Sequence, residues 1–399
     1  MTRINPVSLI LISSMGPYII KSLGIRLEHI LIYFVFIWVI LNNYKININS
    51  FIIFILLIIA SIIPLIGEFI SNNNTSNYAQ IIAGSDNYIL FASVFFISAT
   101  YFNKNKDPDL FFQIVILNLN LLVLNTIIAL ISTTGLISEI LFFFHSTTIE
   151  NLDIGVESVS ALSAKMNRFS GIFDQPLEAG LSYSIGMLSS IYIYKIKKIT
   201  TYKFIIYIIM LNLGGVLTVS KVFIYGGLPL SIIYYCIINK STISLIFLSL
   251  PVIVLTKIVL LMSGGSDFFE RLLDFNNLID NIIYGRYDVD SNIIINFEEN
   301  FKNNLIFGLG YTGRSIYDSG YFQYFIQGGI LQLALQVFLL IYLTLMSRLK
   351  SPYFFLLIIF INFQQFMTLL GGPTILSNRS SVYLGIMYAC ITNFNFKKI

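Results

Sequence analysis

Long apolar runs, each closed by a short polar break, follow one another along almost the whole chain. Segments such as "SFIIFILLIIASIIPLIGEFI" and "STISLIFLSLPVIVLTKIVLLM" approach the roughly 20 apolar residues a helix needs to cross a hydrocarbon core. The pattern predicts about twelve such helices, near 7–22, 28–42, 50–70, 88–102, 109–132, 177–194, 203–219, 222–239, 243–262, 319–346, 352–370 and 380–396. The start, "MTRINPVSLILISSM", has the basic and apolar parts of a signal peptide but no small-residue cleavage site. It reads as the first membrane helix.

Composition agrees with the pattern. With 56% hydrophobic residues, 11% charged residues and a mean hydropathy of +0.81, the chain holds more apolar surface than one water-soluble core can bury. The expected class is an all-α, polytopic integral membrane protein, residues 1–399 forming a single membrane domain. Lys and Arg collect near cytoplasmic helix ends. An N-terminus on that side puts Arg3, Lys45, Lys104, Lys106, Lys195, Lys197, Lys198, Lys203, Lys240, Arg348, Lys350, Lys397 and Lys398 in short inner loops. Apart from Asp107 and Asp109, the acidic residues then fall on or near the outer side.

Two outer segments are long, 133–176 and 263–318. In the second, "DFFERLLDFNNLIDNII" puts Phe268, Leu272, Phe275, Ile279 and Ile282 on one helical face, and Asp267 with Glu270 resembles a capping box. Ile293, Ile294, Phe297 and Phe301 predict another helix, ended by the glycines of "FGLGYTG".

Several familiar chemistries find no support. Cys236 and Cys390 lie in apolar runs, where packing is their role. His29 and His145 are far apart and lack metal-site spacing, so no metal cofactor is expected. The net charge of +4 is scattered, with no basic and aromatic patch for nucleic acid.

What remains is charge where charge is costly. Arg168 precedes Gly171, Pro176 and Gly180, while Asp174 and Glu178 stand where an outer loop enters a span. The arginine could bind phosphate through its planar fork or pair with a carboxylate to anchor the loop. Lys221, with Thr218 and Ser220, interrupts an apolar stretch, and either snorkels or binds phosphate. Arg286 and Arg314 bracket the second loop helix, and Asp318 follows Arg314 at the lip of the next span. As a carboxylate there, Asp318 could be an N-cap or a general base. Arg379 is an interfacial anchor or a further outer cation, and Lys257 can snorkel.

Together these pieces resemble the O-antigen polymerase and ligase superfamily of integral membrane glycosyltransferases. "NRFSGIFDQP" looks like its Arg–x–x–Gly–x–Phe element, and "TVSK" stands in its Thr–x–Ser–Arg position. Arg286 then leads to "FGLG" and "DSGYFQYFIQGGILQL", similar to its polar residue, Gly–Tyr and Gly–Gly steps. Lys221 departs from the usual arginine, losing the bidentate fork. Asp318 stands where the ligases tend to have His, which favours a polymerase. The proline common before "FGLG" is missing.

The resemblance implies a GT-C-like fold in the bacterial inner (cytoplasmic) membrane, with the site facing the periplasm. It implies transfer of a growing glycan from undecaprenyl pyrophosphate to a sugar hydroxyl of an incoming lipid-linked repeat unit, without metal or other cofactor. Arg286 and Arg168 would act in catalysis with Asp318 as base. Arg314, Lys221, Asp174, Glu178 and Tyr321 would bind substrate, with Asp174 and Glu178 also rivals for the base. The implied partners are the lipid-linked oligosaccharide, membrane lipid and a chain-length regulator protein. The alternatives are a ligase to lipid A core and, from another class, a lipid-linked oligosaccharide flippase.

Overall fold

The computed structural model describes residues 5–21, 24–42, 44–71, 78–145, 163–239, 304–311, 319–372 and 378–394, with single positions at 254 and 295. The expected span at 243–262 and the helices at 267–283 and 290–301 lie outside these residues, save 254 and 295, as do Arg286, Arg314 and Asp318.

The first expected span is corrected. Residues 7–22 do not form one crossing helix: α1 covers only Pro6–Ser13, and β1 (Tyr18–Ile20) pairs antiparallel with β2 (Ile25–Arg26). Pro17 is the physical reason, because it disfavours helix in the residue before it and donates no N–H. An eight-residue helix is about 12 Å long, well short of a bilayer core.

The remaining elements are helices at the expected places: α2 (Leu27–Leu41), α3 (Ile48–Ile70), α4 (Tyr78–Asn105), α5 (Pro108–Ser132) and the short α6 (Ser138–Phe142). Then come α7 (Pro176–Lys195), α8 (Thr201–Leu217), α9 (a π-helical turn Val222–Gly227 continued by Leu228–Asn239), α10 (Gly320–Ser347), α11 (Pro352–Thr368) and α12 (Asn378–Asn393). Helix α4 starts ten residues before the expected 88, through Ser85 and Asp86. Asp86 can be accommodated because His29 Nε2 lies 3.2 Å from its carboxylate and Tyr33 donates to it. Among the described residues, five helices are long and apolar enough to cross a membrane, and α2, α8 and α11 are apolar but shorter. This is an all-α membrane protein.

Helix α7 is the hub. It is buried on nearly every side and packs against α5, α8, α9, α11 and α12. Its sequence, "PLEAGLSYSIGMLSSIYIYK", is rich in Gly, Ala and Ser, small residues that let helices approach closely inside a bilayer.

Helix α10 is broken at Gly329, which has φ +64°. The "FGLG" stretch fills the break: Leu309 and Gly310 donate to the carbonyls of Ile326 and Gln327, and Ile330 donates to Leu305. A Cβ on Gly329 would lie 2.2 Å from the Ile306 carbonyl oxygen. The broken backbone is thus satisfied by protein, the condition under which it is tolerated at membrane depth.

The bundle has two unlike ends. At one, Lys45, Lys104, Lys106, Lys195, Lys197, Lys198, Arg348 and Lys350 occupy helix ends and the short turns between them, held by contacts such as Asn103 to the Lys45 carbonyl and Lys195 to that of Ile238. Asp107 and Asp109 are the carboxylates there among the described residues. The other end gathers Arg26, Glu28, Glu68, Asp86, Arg168, Asp174, Glu178, Lys221 and Arg379.

Candidate functional site

The loop carrying Arg168 is fixed by α5 and His145. Asn125 donates to the Ser170 carbonyl at 3.1 Å and to the Tyr183 hydroxyl at 2.8 Å, and it accepts from the Ile172 N–H at 2.9 Å. His145 Nε2 meets the Gly171 carbonyl at 2.8 Å. Gly171 lies at φ +66°, and a Cβ there would come within 2.2 Å of Asn125 Oδ1. Both the conformation and the space therefore require glycine. Burial lowers the His145 pKa below its usual value, so the ring is neutral at pH 7 and can donate from Nε2.

The Phe169 N–H donates to the Leu217 carbonyl at 2.8 Å, joining the Arg168 element to the "TVSK" turn. There Val219 sits at φ +46°, a left-handed conformation costly for a β-branched residue. Lys221, half-buried, directly precedes the π-helical turn of α9. Gln364 on α11 donates to the Val222 carbonyl at 3.0 Å. Strained backbone and π-turns cluster at functional sites because surrounding contacts must hold them.

On the other side of α7, Arg26 is fully buried. Its Nε lies 2.6 Å from Glu28, and its Nη1 donates to Asp174 at 3.2 Å. The Tyr18 hydroxyl also donates to Asp174, at 3.0 Å. Burial pushes the Tyr18 phenol up, so it remains protonated. Burial alone would lower the Arg26 pKa, but the carboxylates of Glu28 and Asp174 outweigh it and hold the guanidinium charged. Arg379 donates to the carbonyls of Ser14 at 3.1 Å and Phe144 at 2.7 Å. Glu178 accepts from the backbone N–H groups of Arg379 at 2.7 Å and Ser380 at 3.2 Å, capping α12 from a neighbouring helix. A narrow cleft runs beneath Arg379, with Ser14, Asn118, Ser182 and Tyr383 among its lining.

The structure thus brings Arg168, Asp174, Glu178 and Lys221 to the same end of α7. Tyr321 is at that end too, its hydroxyl donating to the Phe366 carbonyl at 2.8 Å and its helix starting where Gly320 donates to Leu369. Asp174 and Glu178 are engaged in the ion network and in capping. The residues missed in the sequence are Arg26, Glu28, Asn125 and His145. Asn125 had a signal, an amide inside the apolar run "LLVLNTIIAL"; Arg26 and Glu28, at the start of the span expected at 28–42, had none. Among the described residues no group of His, Cys, Asp and Glu could hold a metal ion. Compared with protein-family models, with curated proteins and with solved structures, the chain matches none.

Proposed function

We propose that the protein is a polytopic glycosyltransferase that polymerises lipid-linked oligosaccharide repeat units. The carrying observation is convergence: the Arg168 loop, the Lys221 turn and the mated "FGLG" and Gly328–Gly329 stretches all lie at the end opposite the lysine-rich turns. Lysine-rich turns belong on the cytoplasmic side, which supports a site at the outer, periplasmic face of the inner membrane in this GT-C-like reading.

In the proposed reaction, the bond from the anomeric carbon of the growing glycan to undecaprenyl pyrophosphate breaks. A bond from that carbon to the acceptor sugar hydroxyl forms, and the hydroxyl proton passes to a base. Arg168 and Lys221, with Arg286 and Arg314, neutralise the departing pyrophosphate. Asp318 takes the proton, its contribution coming from position. Glu178 and Asp174 keep the α7 terminus in place.

The test is deletion of the gene followed by gel analysis of surface polysaccharide. Single repeat units on lipid A core support the reading. Unattached polymer left on its lipid carrier would make the protein a ligase, and lipid-linked repeats trapped in the cytoplasmic leaflet would make it a flippase.

A further inference from the structure

The β1–β2 hairpin and α6 are more than a hundred residues apart in sequence, yet they form one surface. Tyr18 N–H donates to the Phe143 carbonyl at 2.8 Å, Lys21 donates to the Phe142 carbonyl, and the Lys21 ammonium lies 3.1 Å from the centre of the Phe142 ring. Ile19, Ile20, Leu136, Ile140, Phe142 and Phe143 are all exposed on it, Leu136 at 81% and Phe143 at 59%. So much bare aliphatic and aromatic surface is unstable in water.

The surface is continuous with faces that already point away from the protein. On α5, Leu124, Ile127 and Ile131 are exposed at helical spacing and lead directly to Leu136; on α1, Leu9 and Ile12 lead to Ile19. These helix faces are the bilayer-facing side of a membrane bundle. Phenylalanine rings beside one lysine, at the level where helices end, match acyl chains below and phosphate above.

We propose that the hairpin and α6 form an interfacial foot that lies in the phospholipid headgroup boundary of the leaflet on the site's side. Lys21 there reaches lipid phosphate while the isoleucines and phenylalanines enter the upper acyl region. The foot is continuous with the ion network, since its strands carry Tyr18 and Arg26, both bound to Asp174. Leaflet lipid therefore helps to hold the loops that shape the candidate site.

The chain has a single tryptophan, Trp38. Replacing it by Phe gives a background for Phe143→Trp, Leu136→Trp and, as a bilayer-facing reference, Ile127→Trp. The full chain is reconstituted in phosphatidylcholine and phosphatidylglycerol vesicles with or without brominated lipids. Both foot variants should lose at least half as much fluorescence to lipids brominated near the headgroup as Ile127→Trp loses to mid-chain bromines, with little quenching by aqueous iodide. Quenching by iodide but not by brominated lipid would overturn the proposal in favour of a water-exposed surface. Quenching by neither would overturn it in favour of a surface covered by protein. Leu136 points outward, so its replacement leaves the fold intact if Phe143→Trp does not.

Discussion

The two ends of the bundle use charge in opposite ways. At the lysine-rich end, Lys198 and Asp109 pair at 2.6 Å, but both remain in contact with water, Asp109 mostly so, and the Lys198 and Lys104 ammoniums lie over the rings of Phe112 and Tyr44. Such pairs are screened and contribute little. At the other end, Arg26 and Glu28 have no exposed side-chain surface, and Asp174, Glu178 and Arg379 are nearly as buried. Burying charge is costly unless every group is held. One end marks which side of the membrane the chain faces; the other locks loops and helix termini into one arrangement.

The contrast can be broken most strongly at Arg26. Arg26→Ala leaves Glu28 and Asp174 buried with a lost partner, and we expect about 3–5 kcal/mol of destabilisation in thermal or denaturant unfolding in detergent. A loss near zero would mean that the network does not hold the fold. A smaller effect is expected at Val219. Val219→Gly relieves about 1–2 kcal/mol of left-handed strain but deletes a side chain buried in the core, which costs about 1.5–3 kcal/mol, so stability should fall by no more than about 2 kcal/mol, while polymer output falls as the Lys221 turn loosens.

His145 sharpens the comparison through pH. Its folded-state pKa is lowered from 6.5 by burial, so the unfolded chain takes up the proton first. That contribution to stability is present above pH 6.5 and is lost as pH falls below it; His145→Gln should flatten this part of the stability profile. The smallest effect belongs to the other end. Lys198→Ala should change stability by no more than about 0.5 kcal/mol, and less still in high salt.

Much of the fold was legible because bilayer spans announce themselves by length and hydropathy, and α3, α5, α7 and α10 begin within two residues of their expected starts. The first span misled because "PVSLILISSMGPYII" is apolar throughout, whereas Pro17 and the turn at Gly24 fold it into a short helix and a hairpin. The candidate site was legible only in part. Arg168, Lys221, Asp174 and Glu178 stood out as charges beside apolar runs. Their partners did not: Arg26 meets Asp174 across 148 residues and Glu178 caps Arg379 across 201, and no periodicity encodes such pairings. Asn125 was hidden for a similar reason, since an amide in a span reveals its purpose only once Gly171 is seen against it.

The central claim is that the end bearing Arg168 carries out polymerisation, and Arg168→Ala tests it most directly. The variant is expressed in place of the native chain, its amount in the membrane is measured, and surface polysaccharide is resolved on a gel. The account predicts native levels of inserted protein with single repeat units and no polymer ladder. A full ladder at the same protein level would contradict it.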